Sequence, residues 1–358
     1  MPFRRITIKI GSNVLTAPQH GLDAARLSAL VAQIAALYHQ GIEIIVVSSG
    51  AVAAGRGEFA ALRKQDAVQA RQLYSAIGQA KLIQLYYELF KQHNIVCGQV
   101  LTTKENFRSR RHYLTMQGCV ATMLANGAIP IVNENDTVSV SELMFTDNDE
   151  LSGLMSEMMN ADALVILSNV DGIYNGDPHN SQSKIIREVR SRADDFAQFI
   201  THNKSEFGRG GMLTKAEIAS RTAAAGIEVF IANGKRNNIL TDWAAHPNET
   251  LCTHFVAKKQ KTSSIKKWIH HTQAFATSAL VVNAGAVEAL RKAAVSLLPI
   301  GVTRIVGTFE KGDVVKIMDE QDAIIGVGKV TCNSEKASQI IGKKGEKELV
   351  HYNYLFLQ

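Results

Sequence analysis

This chain predicts an α/β protein: a three-layer α/β/α sandwich around a mostly parallel sheet, followed by a small β-rich barrel. Two observations carry that prediction. From Phe3 to about Val256, short β-branched runs alternate with helical patterns, and beyond Trp268 the pattern changes to short strands separated by glycine and aspartate turns. Strands that are apolar on both faces and separated by helices belong to a parallel sheet covered on both sides.

The predicted strands of the first region are Ile6–Ile10, Ile42–Val47, Ile95–Leu101, Ile129–Val132, Ala163–Leu167 and Ile227–Ile231. Between the first two, Leu27, Leu30, Val31, Ile34, Leu37 and Tyr38 recur at helical spacing on one face. A second helix is expected over Ala67 to Lys91. The basic stretch Lys258-Lys259-Gln260-Lys261-Thr262-Ser263-Ser264-Ile265-Lys266-Lys267 is poor in apolar residues and reads as a connection with a solvated face. After it come a helix over Gly285–Ala294 and strands over Val302–Val306, Val314–Met318 and Ala323–Val330. The expected division is therefore 1–256, a linker over 257–271, and 272–358.

Composition is that of a soluble globular protein: 358 residues, 46% hydrophobic and 20% charged. That length favours two domains over one core. A net charge of +6 permits an anionic ligand or nucleic acid without requiring either. Cys97, Cys119, Cys252 and Cys332 are widely spaced and read as reduced thiols, and no apolar run is long enough to span a membrane, so a cytoplasmic location is expected.

Ligands of such sheets gather beyond the carboxyl ends of the strands. There the chain concentrates its polar motifs. Strand one runs into Lys9-Ile10-Gly11-Ser12-Asn13, with a lysine inside an apolar run that needs a partner or an anion. Strand two ends in Ser48-Ser49-Gly50-Ala51-Val52-Ala53-Ala54-Gly55, hydroxyls and glycine opening a small-residue helix. The fourth strand ends in Asn133-Glu134-Asn135-Asp136, and Thr146-Asp147-Asn148-Asp149-Glu150 opens a later helix. Asp147 or Asn148 fits a helix cap; the surplus of carboxylates and carboxamides suits an ammonium group, nearby lysines or a metal, although the spacing is not that of an EF-hand. The next strand ends in Leu167-Ser168-Asn169-Val170-Asp171-Gly172. Last comes Gly208-Arg209-Gly210-Gly211-Met212-Leu213-Thr214-Lys215, a glycine-rich turn entering a helix with a lysine on its first turn. Backbone N–H groups and a lysine there suit a phosphate, though the spacing is not that of a Walker A loop.

Lys9-x-Gly-Ser, Ser48-Ser49-Gly50-Ala51-Val52-x-x-Gly, Asn133-Glu134-Asn135-Asp136, Asp147-Asn148-Asp149 and Gly210-Gly211-Met212-x-Thr-Lys215 occur in order. On these motifs the chain resembles the amino acid kinase family, and within it the glutamate 5-kinase subfamily, from Phe3 to about Val256. The later region looks like a PUA domain. The resemblance implies the amino acid kinase fold and ATP-dependent phosphorylation of the L-glutamate side-chain carboxylate to γ-glutamyl 5-phosphate, the first step of proline biosynthesis. It implies Lys9, Lys215 and Asp149 as catalytic residues. Ser49, Asn135, Asp136 and Asn148 would bind substrate. Lys9, Gly11, Ser168, Asn169, Gly210, Gly211, Met212 and Lys215 would bind ATP. Magnesium would rest on phosphate oxygens and water, so no protein ligand is assigned. The family also implies a homo-oligomer, and the labile product implies a glutamyl-phosphate reductase as functional partner.

Three positions depart from the family pattern: Thr146 for a glycine, Asn169 for an aspartate and Arg209 for a threonine. They bear on nucleotide preference. The alternatives are a kinase of aspartate or another carboxylate, a nucleoside monophosphate kinase, and an RNA-binding protein acting through the PUA-like domain. The second would want arginines on the acceptor side, where Asp136 and Asn148 stand. Against the third, the C-terminal region has few aromatics for stacking and scattered basic residues, and Ile340-Ile341-Gly342-Lys343-Lys344-Gly345 reads as a helix end followed by a basic turn.

Overall fold

The computed structural model describes residues 3–17, 21–59, 66–138, 148–176, 182–190, 211–258, 276, 278–293 and 295–357. Chain contacts divide it into two compact units, one of Met1–Thr103 with Gln117–Gln260 and one of Lys104–Met116 with Lys261–Gln358. The basic connection falls almost wholly outside the described residues.

The first half of the chain runs β1 (Arg5–Ile10), α1 (Ser12–Leu15), β2 (Thr16–Ala17), β3 (Gly21–Leu22), α2 (Ala24–Tyr38), β4 (Glu43–Ser48), α3 (Ala51–Arg56), α4 (Ala67–Lys91), β5 (Val96–Thr102), α5 (Lys104–Arg108), α6 (Arg110–Ala125) and β6 (Ala128–Glu134). It continues through α7 (Asn148–Met158), β7 (Ala163–Ser168), β8 (Glu188–Val189), α8 (Met212–Ala224), β9 (Glu228–Asn233), α9 (Ile239–Ala245) and β10 (Cys252–Phe255). Eight strands form one sheet in the order β5-β6-β4-β1-β7-β9-β10-β8. Pairing is parallel from β5 to β9, and β10 lies antiparallel to β9.

Burial on both faces explains why the strands read as continuous apolar runs. On β7, Val165 and Leu167 join β1, β4, α2, α4 and α9 in one core, while Leu164 and Ile166 join Ala216, Ala219 and Ala223 of α8 in another. Two cores on opposite faces of one sheet make the three-layer sandwich expected from sequence. Ile6, Ile8 and Ile10 are wholly buried, each side chain contributing about 2 kcal/mol through removal from water.

The order of strands sets the place of the site. The chain starts at β1, builds β4, β6 and β5 on one side of it, then returns to add β7 and β9 on the other. β1 is therefore flanked by strands reached in opposite directions, and beyond the carboxyl end of such a switch point ligands of these sheets bind.

The second unit holds β11 (Ala279–Val282), α10 (Ala284–Lys292), β12 (Val302–Val306), β13 (Val314–Met318), β14 (Ile324–Val330), α11 (Ser334–Ile340) and β15 (Val350–Leu357). Its sheet runs β12-β11-β13-β14-β15 around a core of its own that includes Leu280, Val315, Ile317 and Val350. Gly342 follows α11 with φ +75°, a left-handed residue just past the helix, which is the helix end read from the sequence at Ile340–Gly345.

Candidate active site

Lys9 lies near the end of β1, side chain buried, with its neighbours on β4 and β7 holding it centrally in the sheet. A buried ammonium is costly unless paired. Its partner is Asp149, fully buried on the first turn of α7, whose Oδ1 stands 2.5 Å from Lys9 Nζ. The other oxygen, Oδ2, takes the Lys215 ammonium. Lys215 comes from the first turn of α8, on the opposite side of β1 from β4. One carboxylate thus holds two lysines from two elements, one on each oxygen. The positive end of the α7 dipole favours that carboxylate, and the cluster keeps a net positive charge.

On the β4 side, Asn148 is the first residue of α7, and its side chain turns across to the neighbouring strands. Its amide nitrogen lies 2.9 Å from the Ser48 carbonyl, 3.0 Å from Ser49 Oγ and 2.9 Å from Asn133 Oδ1. The amide shares two hydrogens among these three acceptors, and the Ser49 hydroxyl, which accepts from it, keeps its own hydrogen to donate. Gly50 follows with φ 104°, a left-handed conformation that turns the chain into α3. Asn133 is itself buried and donates to Gln79 Oε1 at 2.7 Å. Asn135 accepts instead from Thr137 Oγ1 within its own turn.

Asp136, also buried, is gripped by Arg71 of α4, whose Nε and Nη2 reach Oδ1 at 2.9 and 2.6 Å. Ser75 donates to its other oxygen at 3.2 Å, and Glu134 lies 3.6 Å from Arg71 Nη2. The expectation that no arginine stands on the acceptor side is corrected here: Arg71 is present, spent in part on Asp136.

On the β7 side, Ser168 ends the strand, buried, with its hydroxyl 3.4 Å from Oδ1 of the exposed Asn169. Gly11 donates its N–H to the Leu167 carbonyl, and a Cβ at Gly11 would lie 3.0 Å from that oxygen and 3.5 Å from Lys9 Nζ. Gly211 caps α8 from an extended conformation, and among the described residues no side chain caps the first N–H groups, donors of the kind that suit an anion. Met212 packs partly buried against the α8 core. Beyond β7, Asp171 receives Arg236 Nη2 at 2.9 Å and Asn233 at 3.0 Å. The Arg236 hydrogen bond holds its carboxyl below the usual carboxylate range, against the opposing effect of burial and with help from Asn233. Gly208, Arg209, Gly210, Thr146 and Asp147 lie outside the described residues.

Two lysines on one buried aspartate, between the polar Asn148–Ser49–Asn133 cluster and the start of α8, form an arrangement suited to a negatively charged group. Comparison with known proteins agrees. The model of the amino acid kinase family matches residues 4–233, well over half of the chain. The chain belongs to the amino acid kinase family. A PUA domain model matches residues 278–351. Among curated relatives of this family member, the glutamate 5-kinase of Bacteroides thetaiotaomicron is 55% identical over 99% of both chains. That of Chlorobaculum tepidum is 44% identical over 99% of this chain and 98% of its own. In fold the chain resembles the UMP kinase of Bacillus anthracis, with a TM-score of 0.50 at 18% identity, covering 72% of this chain and 97% of that one.

Sequence reasoning passed over Arg71, Ser75 and Gln79. The signal was present: the three stand four residues apart, so they share one face of α4, and that polar line interrupts a helix that is otherwise read for its apolar residues.

Proposed function

We propose that this chain transfers the γ-phosphoryl group of ATP to the side-chain carboxylate of L-glutamate, giving γ-glutamyl 5-phosphate. It is a kinase, and its curated relatives named glutamate 5-kinase align over nearly the full length. The single structural observation that supports the reading is Asp149, holding Lys9 and Lys215 between the Asn148–Ser49–Asp136 wall and the start of α8.

A glutamate carboxylate, with an ordinary pKa of ~4.3, is ionised at neutral pH and attacks without a general base. The burden on the protein is positioning and charge neutralisation. Lys9 and Lys215 would meet the charge that spreads over the transferring group, and Asp149 fixes their separation. Ser49 and Asn148 would orient the acceptor carboxylate, with Asn135 beside them, while Asp136 takes the α-ammonium. On the other side, the first N–H groups of α8, uncapped among the described residues, suit nucleotide phosphates, and a side chain at Gly11 would fill space beside Lys9. Ser168, Asn169, Gly210 and Met212 complete that side of the proposal. Magnesium, bound with the nucleotide, would supply further charge neutralisation. Its proposed ligands are phosphate oxygens and water, as suits an ion that keeps much of its hydration shell.

An acyl phosphate is a labile product, so a reductase that consumes it is proposed as the functional partner. A homo-oligomer is proposed as the working form, which light scattering of the purified chain would read directly. The function itself is tested with ATP, magnesium and hydroxylamine, which traps an acyl phosphate as a hydroxamate. Glutamate-dependent hydroxamate is expected. Turnover only with aspartate, or with UMP as acceptor, would overturn the reading.

A further inference from the structure

We propose that Arg71 and Asp136 together read the α-carbon of the acceptor: Asp136 Oδ2 receives the α-ammonium and Arg71 Nη1 donates to the α-carboxylate. The inference rests on the glutamate reading above and adds a specificity-determining residue to it.

Charge is the starting point. An amino acid carries both an ammonium and a carboxylate at its α-carbon. Asp136 satisfies only the first. If the ammonium sits on Asp136, the adjoining α-carboxylate lies beside two buried acids, Asp136 and Glu134, and like charges at that distance oppose binding. A cation has to stand there, and Arg71 is the one in contact with both acids.

Geometry then allots the donors. Arg71 spends Nε and Nη2 on the same oxygen of Asp136, Oδ1. Among the described residues, that leaves Oδ2 with only the longer Ser75 contact at 3.2 Å and Nη1 with no hydrogen bond. A guanidinium is planar and rigid, so an edge fixed on one carboxylate presents its remaining donors in a set direction. The side chain is 27% exposed, so its outer edge can be reached by a small molecule while its inner edge stays fixed. An acceptor oxygen and an unspent donor edge, side by side, match the two charges of an α-amino acid.

The bland reading is that Arg71 merely neutralises Asp136. The two are separated by L-isoglutamine, which keeps the α-ammonium and the γ-carboxylate and replaces the α-carboxylate with a carboxamide. With the hydroxylamine trap, the wild-type chain should prefer glutamate over isoglutamine in kcat/KM by about 10- to 100-fold, the range for one hydrogen bond to a charged group. Arg71→Met should raise the KM for glutamate, leave the KM for ATP unchanged and bring the preference close to one. Arg71→Lys, which keeps the charge but not the fork, should keep part of the preference. Should Arg71→Met fail to fold, the wild-type preference and the Arg71→Lys series decide. Equal use of both acceptors by the wild type, or a variant that loses activity with the preference intact, overturns the role of Arg71. A wild type inert toward glutamate overturns the parent reading instead, so the two failures are distinct.

Discussion

Asp149 serves two lysines at once, and its replacement separates its structural from its chemical contribution. In Asp149→Asn the shape persists, but Lys9 and Lys215 lose their shared anion while remaining largely buried, with side-chain exposures of 5% and 14%. Breaking a buried pair from one side typically costs ~3–5 kcal/mol, so the variant should unfold at lower denaturant concentration. Its kcat should fall by about 10²-fold or more, the scale for losing one preorganised electrostatic element. Adding Lys215→Met to Asp149→Asn should recover part of the stability, since it removes one of the two like charges left facing each other, and none of the activity. Urea titration and steady-state kinetics on both variants read these quantities. An Asp149→Asn enzyme with wild-type kcat removes the aspartate from the mechanism.

The position of Ser49, proposed to orient the acceptor, depends on how α3 and α4 cross. They meet where Gly78 of α4 faces the first turn of α3, and a Cβ at Gly78 would fall 1.8 Å from the Ala51 carbonyl oxygen and 2.4 Å from the Gly55 nitrogen. Both are backbone atoms, so a helix would have to move. Ala51 follows directly on Ser49 and Gly50, so displacement of α3 displaces the Ser49 hydroxyl. Gly78→Ala should therefore lose stability by ~1–3 kcal/mol, as overpacking does, and raise the KM for glutamate while leaving that for ATP unchanged. Thermal melting with separate KM measurements for the two substrates checks this. An unchanged glutamate KM would show that α3 does not position the acceptor.

At the scale of the whole molecule, charge and the second unit bear on nucleic acid. The net charge of +6 permits it, and the second unit matches a PUA domain model. Its exposed aromatic side chain Tyr352 and the Lys329 ammonium 4.7 Å from the centre of the Tyr354 ring give it one small stacking surface. Non-specific phosphate contacts weaken steeply with salt. The full-length protein should therefore hold tRNA only weakly at low salt and release it at about 0.15 M, as read by fluorescence anisotropy across a salt series. Tight, salt-resistant binding would make RNA recognition a second function. Among the described residues no helix is long and apolar enough to cross a membrane.

Much of the first unit was legible because its rules are local. The runs around Ile8, Val46, Ile131, Val165 and Ile231 are buried on both faces, which erases alternation and leaves a plain apolar signal. The strands overlooked are those where that signal is short or mixed: β10 has four residues, and β15 interleaves His351, Tyr352 and Asn353 with its apolar positions. The site divided in the same way. Lys9, Asn148, Asp149 and Lys215 sit at boundaries between strand and helix, where a polar residue beside an apolar run stands out. Arg71 did not, because a cation on an exposed-looking helix turn is ordinary until its neighbour is known.

Periodicity, turn residues and motif order in the chain were enough to establish the sandwich and the existence of a second unit, and to single out Lys9 and Lys215 as candidates. They could not say which groups touch. Lys9, Asp149 and Lys215 are far apart along the chain, and Arg71 and Asp136 are separated by 65 residues, so their pairing depends on sheet order and helix crossing rather than on spacing. The physical reason is that a charge declares its type in sequence, whereas its partner is chosen by burial: only the folded sheet brings Asp149 between two ammonium groups and turns Arg71 onto Asp136.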